Sequence, residues 1–187
     1  FSYFSLEETS LRMDLKVLGR FWWEQFGEEI SIADFLNSNG KQKIKGREYM
    51  LDDLQEYVST FNRHVEVIED CKSASEIKLY LEKKANELKD FIGDPNFYWV
   101  VIIDNLKFIK AEEKSNKKDS IDFLVLDVIQ RFRKEFSLIP IIIQHTNRLI
   151  PKYDFRNKLL IDSVKPSLLS LGESAYTQDP ATHVIGL

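Results

Sequence analysis

The sequence is poor in cysteine and has no long apolar run. Its single cysteine, Cys71, cannot form an internal disulfide, and no N-terminal stretch has the basic, apolar and small-residue order of a secretory signal. We therefore expect a reducing, cytoplasmic setting. The longest apolar segments are too short and too interrupted by charge to span a bilayer, so we expect no transmembrane helix and no membrane partner.

A net positive charge is also missing. The 26 lysines and arginines are outnumbered by 30 aspartates and glutamates, which gives a formal net charge of -4. A chain of this charge does not hold nucleic acid by bulk attraction. Any nucleic-acid binding must therefore come from local basic patches.

Glycine and proline are scarce, with seven and five residues among 187. Neither a repeat nor a flexible linker is apparent, and at 43% hydrophobic residues the chain can bury one sizeable core. We predict a single domain over residues 1–187. Because Phe1 already opens a strand-like segment, we expect the sequence to begin partway into a larger protein.

The chain does contain an alternation of apolar strands and amphipathic helices. Strands are predicted at residues 1–6, 64–70, 97–104, 139–143 and 182–187. Helical stripes of apolar residues are predicted within 11–26, 77–91 and 121–136. Ser73 and Glu76 form a capping-box signature ahead of the second stripe. This alternation predicts an α/β fold with a mostly parallel sheet and helices on both faces.

Polar side chains stand where three of the apolar strands stop. Glu7 follows "YFSL", Asp104 ends "VVIID", and Gln144 follows "IPIII". Ligands of parallel sheets bind outside the carboxyl ends of the strands. An aspartate there can hold a hydrated magnesium ion, a glutamate can polarise a water, and an amide can sense a terminal phosphate. The alternative is ordinary loop capping, helix-dipole and strand-end interactions.

Five segments together resemble the DnaB-type replicative helicases, a family of RecA-like ATPases. "YFSLEE" resembles the strand with the catalytic glutamate, and "VVIIDNLKFI" resembles the Walker B segment. "KEFSLIPIIIQHTNR" is similar to the helix, strand and glutamine motif, and "LLSLGESAYTQDPATHVIGL" to the late motif. "HVEVIED" followed by "SASEI" matches the strand and helix ahead of Walker B. The resemblance spans nearly the whole chain and implies a RecA-like P-loop ATPase fold.

The resemblance also implies roles for individual residues and for cofactors. Glu7 would be the catalytic base, Asp104 would hold Mg²⁺ through water beside ATP, and Gln144 would link the nucleotide state to DNA-binding loops. Arg148 would close the glutamine motif, although it lies one residue further from Gln144 than in the family. The implied assembly is a ring, expected to be a hexamer, on single-stranded DNA, with primase and a helicase loader as candidate partners.

Two basic segments and the late motif are the predicted DNA-binding elements. Their residues are Lys110, Lys114, Lys117, Lys118, Lys152, Arg156, Lys158, Glu173 and Ser174. In a ring, loops at this edge of the sheet would follow the phosphates of a single strand. Tyr153 and Phe155 are the aromatic candidates for base stacking. The alternative for either basic segment is a solvated loop that keeps the protein soluble.

The sequence departs from the family pattern at the phosphate-binding loop. None of its seven glycines belongs to a GxxxxGK[ST] motif, so we expect truncation upstream and no ATP turnover by this chain alone. Asn105 stands where the family has a tyrosine after Walker B. A helicase motor is the predicted function. The alternatives are a RecA-like ATPase that loads or remodels nucleoprotein and a degenerate, non-hydrolysing assembly module.

Overall fold

The computed structural model describes residues 1–31, 33, 51–113 and 115–144. Its strands are β1 (Ser2–Ser5), β2 (Glu66–Ile68), β3 (Trp99–Asp104) and β4 (Leu138–Ile143). Its helices are α1 (Ser10–Phe26), α2 (Leu51–His64), α3 (Ala74–Glu87), α4 (Lys117–Asp122) and α5 (Gln130–Phe136). A π-helical section, Phe123–Ile129, joins α4 to α5 without a break. The predicted strand at 182–187 lies outside the described residues.

The four strands form one parallel sheet in the order β2-β1-β3-β4. Successive side chains of a strand point to opposite faces, so the register decides which residues share a face. Ser2 pairs with Val101 and Phe4 with Ile103, while Tyr3 pairs with Ile102. The predicted α/β fold with a parallel sheet is therefore confirmed.

The main core covers one face of this sheet. Phe4, Val101 and Ile103 are fully buried there, since they are inaccessible to solvent. The helical side chains packed against them come from α3 and from the continuous helical segment of residues 117–136. They include Ile77, Leu81, Ile121, Leu124, Val128 and Phe132. Burial of about ten such side chains, at roughly 1.5–3 kcal/mol each, is the main force that fixes the sheet.

The order of connections places a crevice between β1 and β3. The chain moves outward from β1 to β2 through α1 and α2, and then returns past β1 to β3 through α3. Right-handed crossovers in opposite directions put their helices on opposite faces of the sheet. The connections that leave β1 and β3 therefore diverge, and the space between the carboxyl ends of these two strands is where such sheets bind ligands.

Local structure differs from the sequence prediction at three places. Helix α2 was not predicted, and α3 ends at Glu87 rather than continuing to Phe91. The helical conformation ends at the C-cap residue Leu88, whose ψ of 1° departs from helical geometry, and the chain then enters a turn in which the Phe91 N–H bonds the Leu88 carbonyl at 2.9 Å. The third helical stripe was predicted as one α-helix, but its central seven residues are π-helical, and Gln130 N–H bonds the carbonyl of Val125.

Candidate functional site at the carboxyl end of the sheet

The three predicted strand-end residues meet at one edge. Ser5, Asp104 and Ile143 form a single row across β1, β3 and β4. Glu7 lies two residues beyond this row and Gln144 one residue beyond it. The backbone N–H of Leu6 donates to the Asp104 carbonyl at 2.8 Å, which ties the end of β1 to the end of β3.

Tyr3 holds the Asp104 carboxylate. Its hydroxyl donates to Asp104 Oδ2 at 2.5 Å, across a sequence separation of 101 residues. Both side chains are half-buried and share the sheet face opposite the main core, because Tyr3 pairs with Ile102 and Asp104 is two residues further along β3. Burial, then the hydrogen bond to Asp104, raises the pKa of Tyr3 above its ordinary value. The hydroxyl therefore remains a donor at neutral pH.

Asn105 holds the second carboxylate, that of Glu7. Its side-chain Nδ2 donates to Glu7 Oε2 at 3.1 Å, and its Oδ1 accepts from the backbone N–H of Lys107 at 2.9 Å. Asn105 is only 1% exposed, whereas Glu7 is exposed. The peptide bond between Asp104 and Asn105 is cis. The buried amide thus fixes the direction of an exposed carboxylate that has access to water.

Lys72 brings a positive charge to the same edge. Its ammonium donates to the carbonyl oxygens of Ser5 at 2.9 Å and Leu6 at 3.3 Å, at the end of β1. Its backbone N–H donates to Glu76 Oε2 at the start of α3, and its carbonyl accepts from Lys110 N–H. Lys72 therefore links β1, α3 and the segment after β3 in one place.

A short 3₁₀ turn, Leu106–Phe108, carries the first basic segment away from Asp104. Leu106 and Ile109 are 1% and 2% exposed and anchor the turn, so Lys107 and Phe108 project outward. The Lys107 ammonium lies 5.8 Å from the centre of the Phe108 ring. Phe108 thus adds an exposed aromatic side chain to the two candidates predicted from the sequence.

The other predicted DNA-binding lysines of this segment are placed as follows. Lys110 is exposed, and Lys117 of α4 donates to the carbonyl of Lys107, which folds the start of α4 back onto the turn. Lys118 is exposed beside it. The remaining predicted residues lie outside the described part of the chain. They are Lys114, Arg148, Lys152, Arg156, Lys158, Glu173 and Ser174.

The donor set suits a cation bound mainly through water. Across residues 1–31, 33, 51–113 and 115–144, no cluster of three or more histidine, cysteine or carboxylate side chains could hold a metal ion. Mg²⁺ typically keeps several waters and uses one or two carboxylates together with substrate phosphates. A single half-buried carboxylate, oriented by Tyr3, fits that mode of binding. Separately, none of the helices in the described ranges has the length and apolar character needed to cross a membrane.

Comparisons with known proteins reveal a structural likeness but no family. No protein family model matches the chain, and no curated protein does. Among solved structures, the chain is similar to a DnaB-like replicative helicase that was described with its interactions with primase. The TM-score is 0.56 at 14% identity, over 92% of this chain and 37% of that one. At this identity the likeness shows the fold alone, and the chain spans little more than a third of that protein.

Proposed function

We propose that this chain is part of an ATP-driven helicase motor that couples ATP hydrolysis to movement along single-stranded DNA. The observation that carries the proposal is the row of strand ends, in which Glu7, Asp104 and Gln144 follow three adjacent parallel strands. Glu7 and Asp104 are each held by a neighbouring polar side chain. The helicase-like fold supports this proposal over a generic nucleotide-binding role.

Each residue has a distinct task in this proposal. Asp104 would hold the hydrated Mg²⁺ of the nucleotide, which would neutralise charge on the phosphates. Glu7, held by Asn105, would accept a hydrogen bond from the attacking water and orient it. Gln144, at the end of the neighbouring strand β4, would respond to the terminal phosphate. Arg148 is the further catalytic residue of this proposal, together with Glu7 and Gln144.

The same proposal includes binding to single-stranded DNA, self-association and a protein partner. Lys110, Lys117 and Lys118 would contact the phosphates of single-stranded DNA, together with the predicted residues 114, 152, 156, 158, 173 and 174. Motors of this kind act as rings, so we propose self-association, with a hexamer as the expected form. Primase is a candidate partner because the similar solved helicase is described with primase.

A non-hydrolysing assembly module is the second candidate. This chain of 187 residues contains no GxxxxGK[ST] motif, and absence of that motif from the full-length protein would favour the module. Backbone amides of such a loop hold the triphosphate in P-loop enzymes. A module of this class would keep the fold and bind DNA or a second copy of the chain without turnover.

ATP hydrolysis stimulated by single-stranded DNA, measured on the full-length protein, tests the motor. Glu7→Gln keeps an acceptor for Asn105 but removes the base, so we expect turnover to fall by about 10²- to 10⁴-fold. We expect Asp104→Asn to weaken Mg²⁺-dependent turnover similarly. Glu8→Gln is the matched control, because the Glu8 carboxylate bonds Lys16, and we expect less than about a twofold change.

Circular dichroism must show that the variants fold. Loss of turnover in both site variants, with Glu8→Gln unaffected, would support the motor. A well-folded, full-length wild type that binds DNA but hydrolyses no ATP would instead support the assembly module.

A further inference from the structure

We propose that Tyr3 is a positioning residue for magnesium, because its hydroxyl fixes the Asp104 carboxylate in the orientation that receives the hydrated ion. This inference rests on the proposed function, since it assigns a further residue to the same site. Tyr3 is in contact with Asp104 alone of the three strand-end residues, through the 2.5 Å bond to Oδ2. The role assigned to Tyr3 is therefore exerted through Asp104.

The register of the sheet makes this contact possible. Tyr3 and Asp104 lie on adjacent parallel strands and on the same face, offset by two residues along β3. A tyrosine is long enough to span that offset and end on the carboxylate. A phenylalanine at residue 3 would fill the same space but donate nothing.

The hydrogen bond from Tyr3 fixes one oxygen of the Asp104 carboxylate, Oδ2, and does not involve the other, Oδ1. Among the described residues, no other side chain donates to the Asp104 carboxylate, so Oδ1 is left for a water of the ion. Partners that orient a metal-binding side chain typically change metal affinity or activity by 10–100-fold when they are removed. The carboxylate would otherwise rotate about its terminal torsion, and its orientation would have to be fixed when the ion binds.

The ordinary alternative is that Tyr3 only packs. Tyr80 offers a matched comparison, because it is also half-buried and burial likewise raises its pKa, but it belongs to α3 and packs its ring against Phe4 at 5.2 Å. Removing the Tyr80 hydroxyl takes away a buried polar group on the other face of the sheet without breaking a hydrogen bond to Asp104. If only the loss of a buried hydroxyl mattered, the Mg²⁺ midpoint would move in both variants alike or in neither.

The experiment measures binding of a fluorescent ADP to the full-length protein, by anisotropy, as a function of Mg²⁺ concentration. In Tyr3→Phe we expect the Mg²⁺ midpoint to rise by about tenfold, with nucleotide affinity restored at saturating Mg²⁺. In Tyr80→Phe we expect the wild-type midpoint. In an Asp104→Asn background, Tyr3→Phe should have no further effect, because Tyr3 acts through Asp104.

The outcomes separate this inference from the function on which it rests. A wild-type midpoint in Tyr3→Phe, or equal shifts in Tyr3→Phe and Tyr80→Phe, would overturn the positioning role and leave the motor proposal standing. Absence of Mg²⁺-dependent nucleotide binding in the folded wild type would overturn both. If Tyr3→Phe unfolds, Tyr3→Met supplies a second variant with a long side chain that donates no hydrogen bond, and a wild-type midpoint there would equally overturn the role.

Discussion

The two ends of the central sheet are built from different chemistry. At the carboxyl end, polar side chains connect neighbouring strands, as in the bonds from Tyr3 to Asp104 and from Asn105 to Glu7. At the amino end, aromatic side chains dominate. There the Trp99 ring lies edge-on to Phe132 with 6.3 Å between centroids, and its Nε1 donates to the buried Ser2 hydroxyl at 3.2 Å.

A shallow cleft at the amino end shows the same bias toward apolar side chains. It lies between the turn before β3 and the junction of α5 with β4. Its lining residues are Ile92, Gly93, Asp94, Pro95, Phe97, Tyr98, Phe136, Ser137 and Ile139. The amino end is therefore stabilised mainly by the burial of apolar side chains. At the carboxyl end, polar contacts fix the orientation of two carboxylates. The expectation is that changes at the amino end affect stability and changes at the carboxyl end affect ligand binding.

The largest expected effect is on stability at the amino end. Phe132→Ala removes a fully buried ring that packs against Trp99 and against Phe136, the latter with 5.1 Å between centroids. We expect the free energy of unfolding to fall by about 3–5 kcal/mol, because the cavity cannot close completely. Denaturant unfolding of the chain measures this. Glu7→Gln is the comparison from the other end, and we expect its unfolding midpoint to stay near that of the wild type. A loss under about 1 kcal/mol for Phe132→Ala would contradict the proposed division between the two ends.

We expect an intermediate loss of stability from Asn105→Asp at the carboxyl end. Aspartate keeps the acceptor for Lys107 N–H but replaces the donor to Glu7 with a negatively charged oxygen. We expect unfolding to become easier by about 1–3 kcal/mol at neutral pH. The two repelling carboxyl groups would have raised pKa values in the folded state, so the deficit should shrink as acid protonates one of them and grow as pH rises.

The control for Asn105→Asp is Asn116→Asp. Asn116 caps α4 by accepting from Asp119 N–H at 2.9 Å, a bond that aspartate can also accept. We expect its unfolding free energy to change by less than about 0.5 kcal/mol. Equal losses in the two variants, or a deficit in Asn105→Asp that does not depend on pH, would argue against the bond to Glu7 as the cause.

Much of the fold could be predicted because it depends on local pattern. The runs "VVIID" and "IPIII" gave β3 and β4 within two residues, and the Ser73–Glu76 capping box is present as predicted. Helix α2 was missed although its signal was available. Apolar residues recur at helical spacing from Leu54 to Phe61, and Asp52 and Asp53 occupy the first turn.

The geometry of the candidate site was predictable only in part. Strand-end chemistry was enough to choose Glu7, Asp104 and Gln144, because parallel strands end at a common edge. It was not enough to find Tyr3, whose bond to Asp104 depends on the register of strands about 100 residues apart. The role of Asn105 was hidden for a related reason. Its burial, and the direction of its amide toward Glu7, follow from how the chain turns after β3.

The smallest expected effect is on the binding of single-stranded DNA. It is tested by comparing two exposed phenylalanines, one at each end of the sheet. Phe108 is 37% exposed in the turn after β3, beside Lys107, and residues 105–111 contain two lysines and no acidic residue. Phe91 is 55% exposed in the turn before β3. If the carboxyl end contacts single-stranded DNA, a base can stack on Phe108. We expect Phe108→Ala to weaken oligothymidine binding by about tenfold, within the 1–3 kcal/mol typical of one stacked base, and Phe91→Ala to leave it unchanged.

An abasic oligonucleotide of the same length separates stacking from charge. It keeps the phosphates that the lysines would bind but removes the bases, so Phe108→Ala and the wild type should bind it equally. A Lys107→Gln variant should weaken both oligonucleotides, with a reduced dependence on salt. Were Phe108→Ala to weaken abasic and thymidine strands alike, the ring would be supporting the turn rather than stacking on a base. A matching loss in Phe91→Ala would remove the distinction between the two ends of the sheet on which this prediction rests.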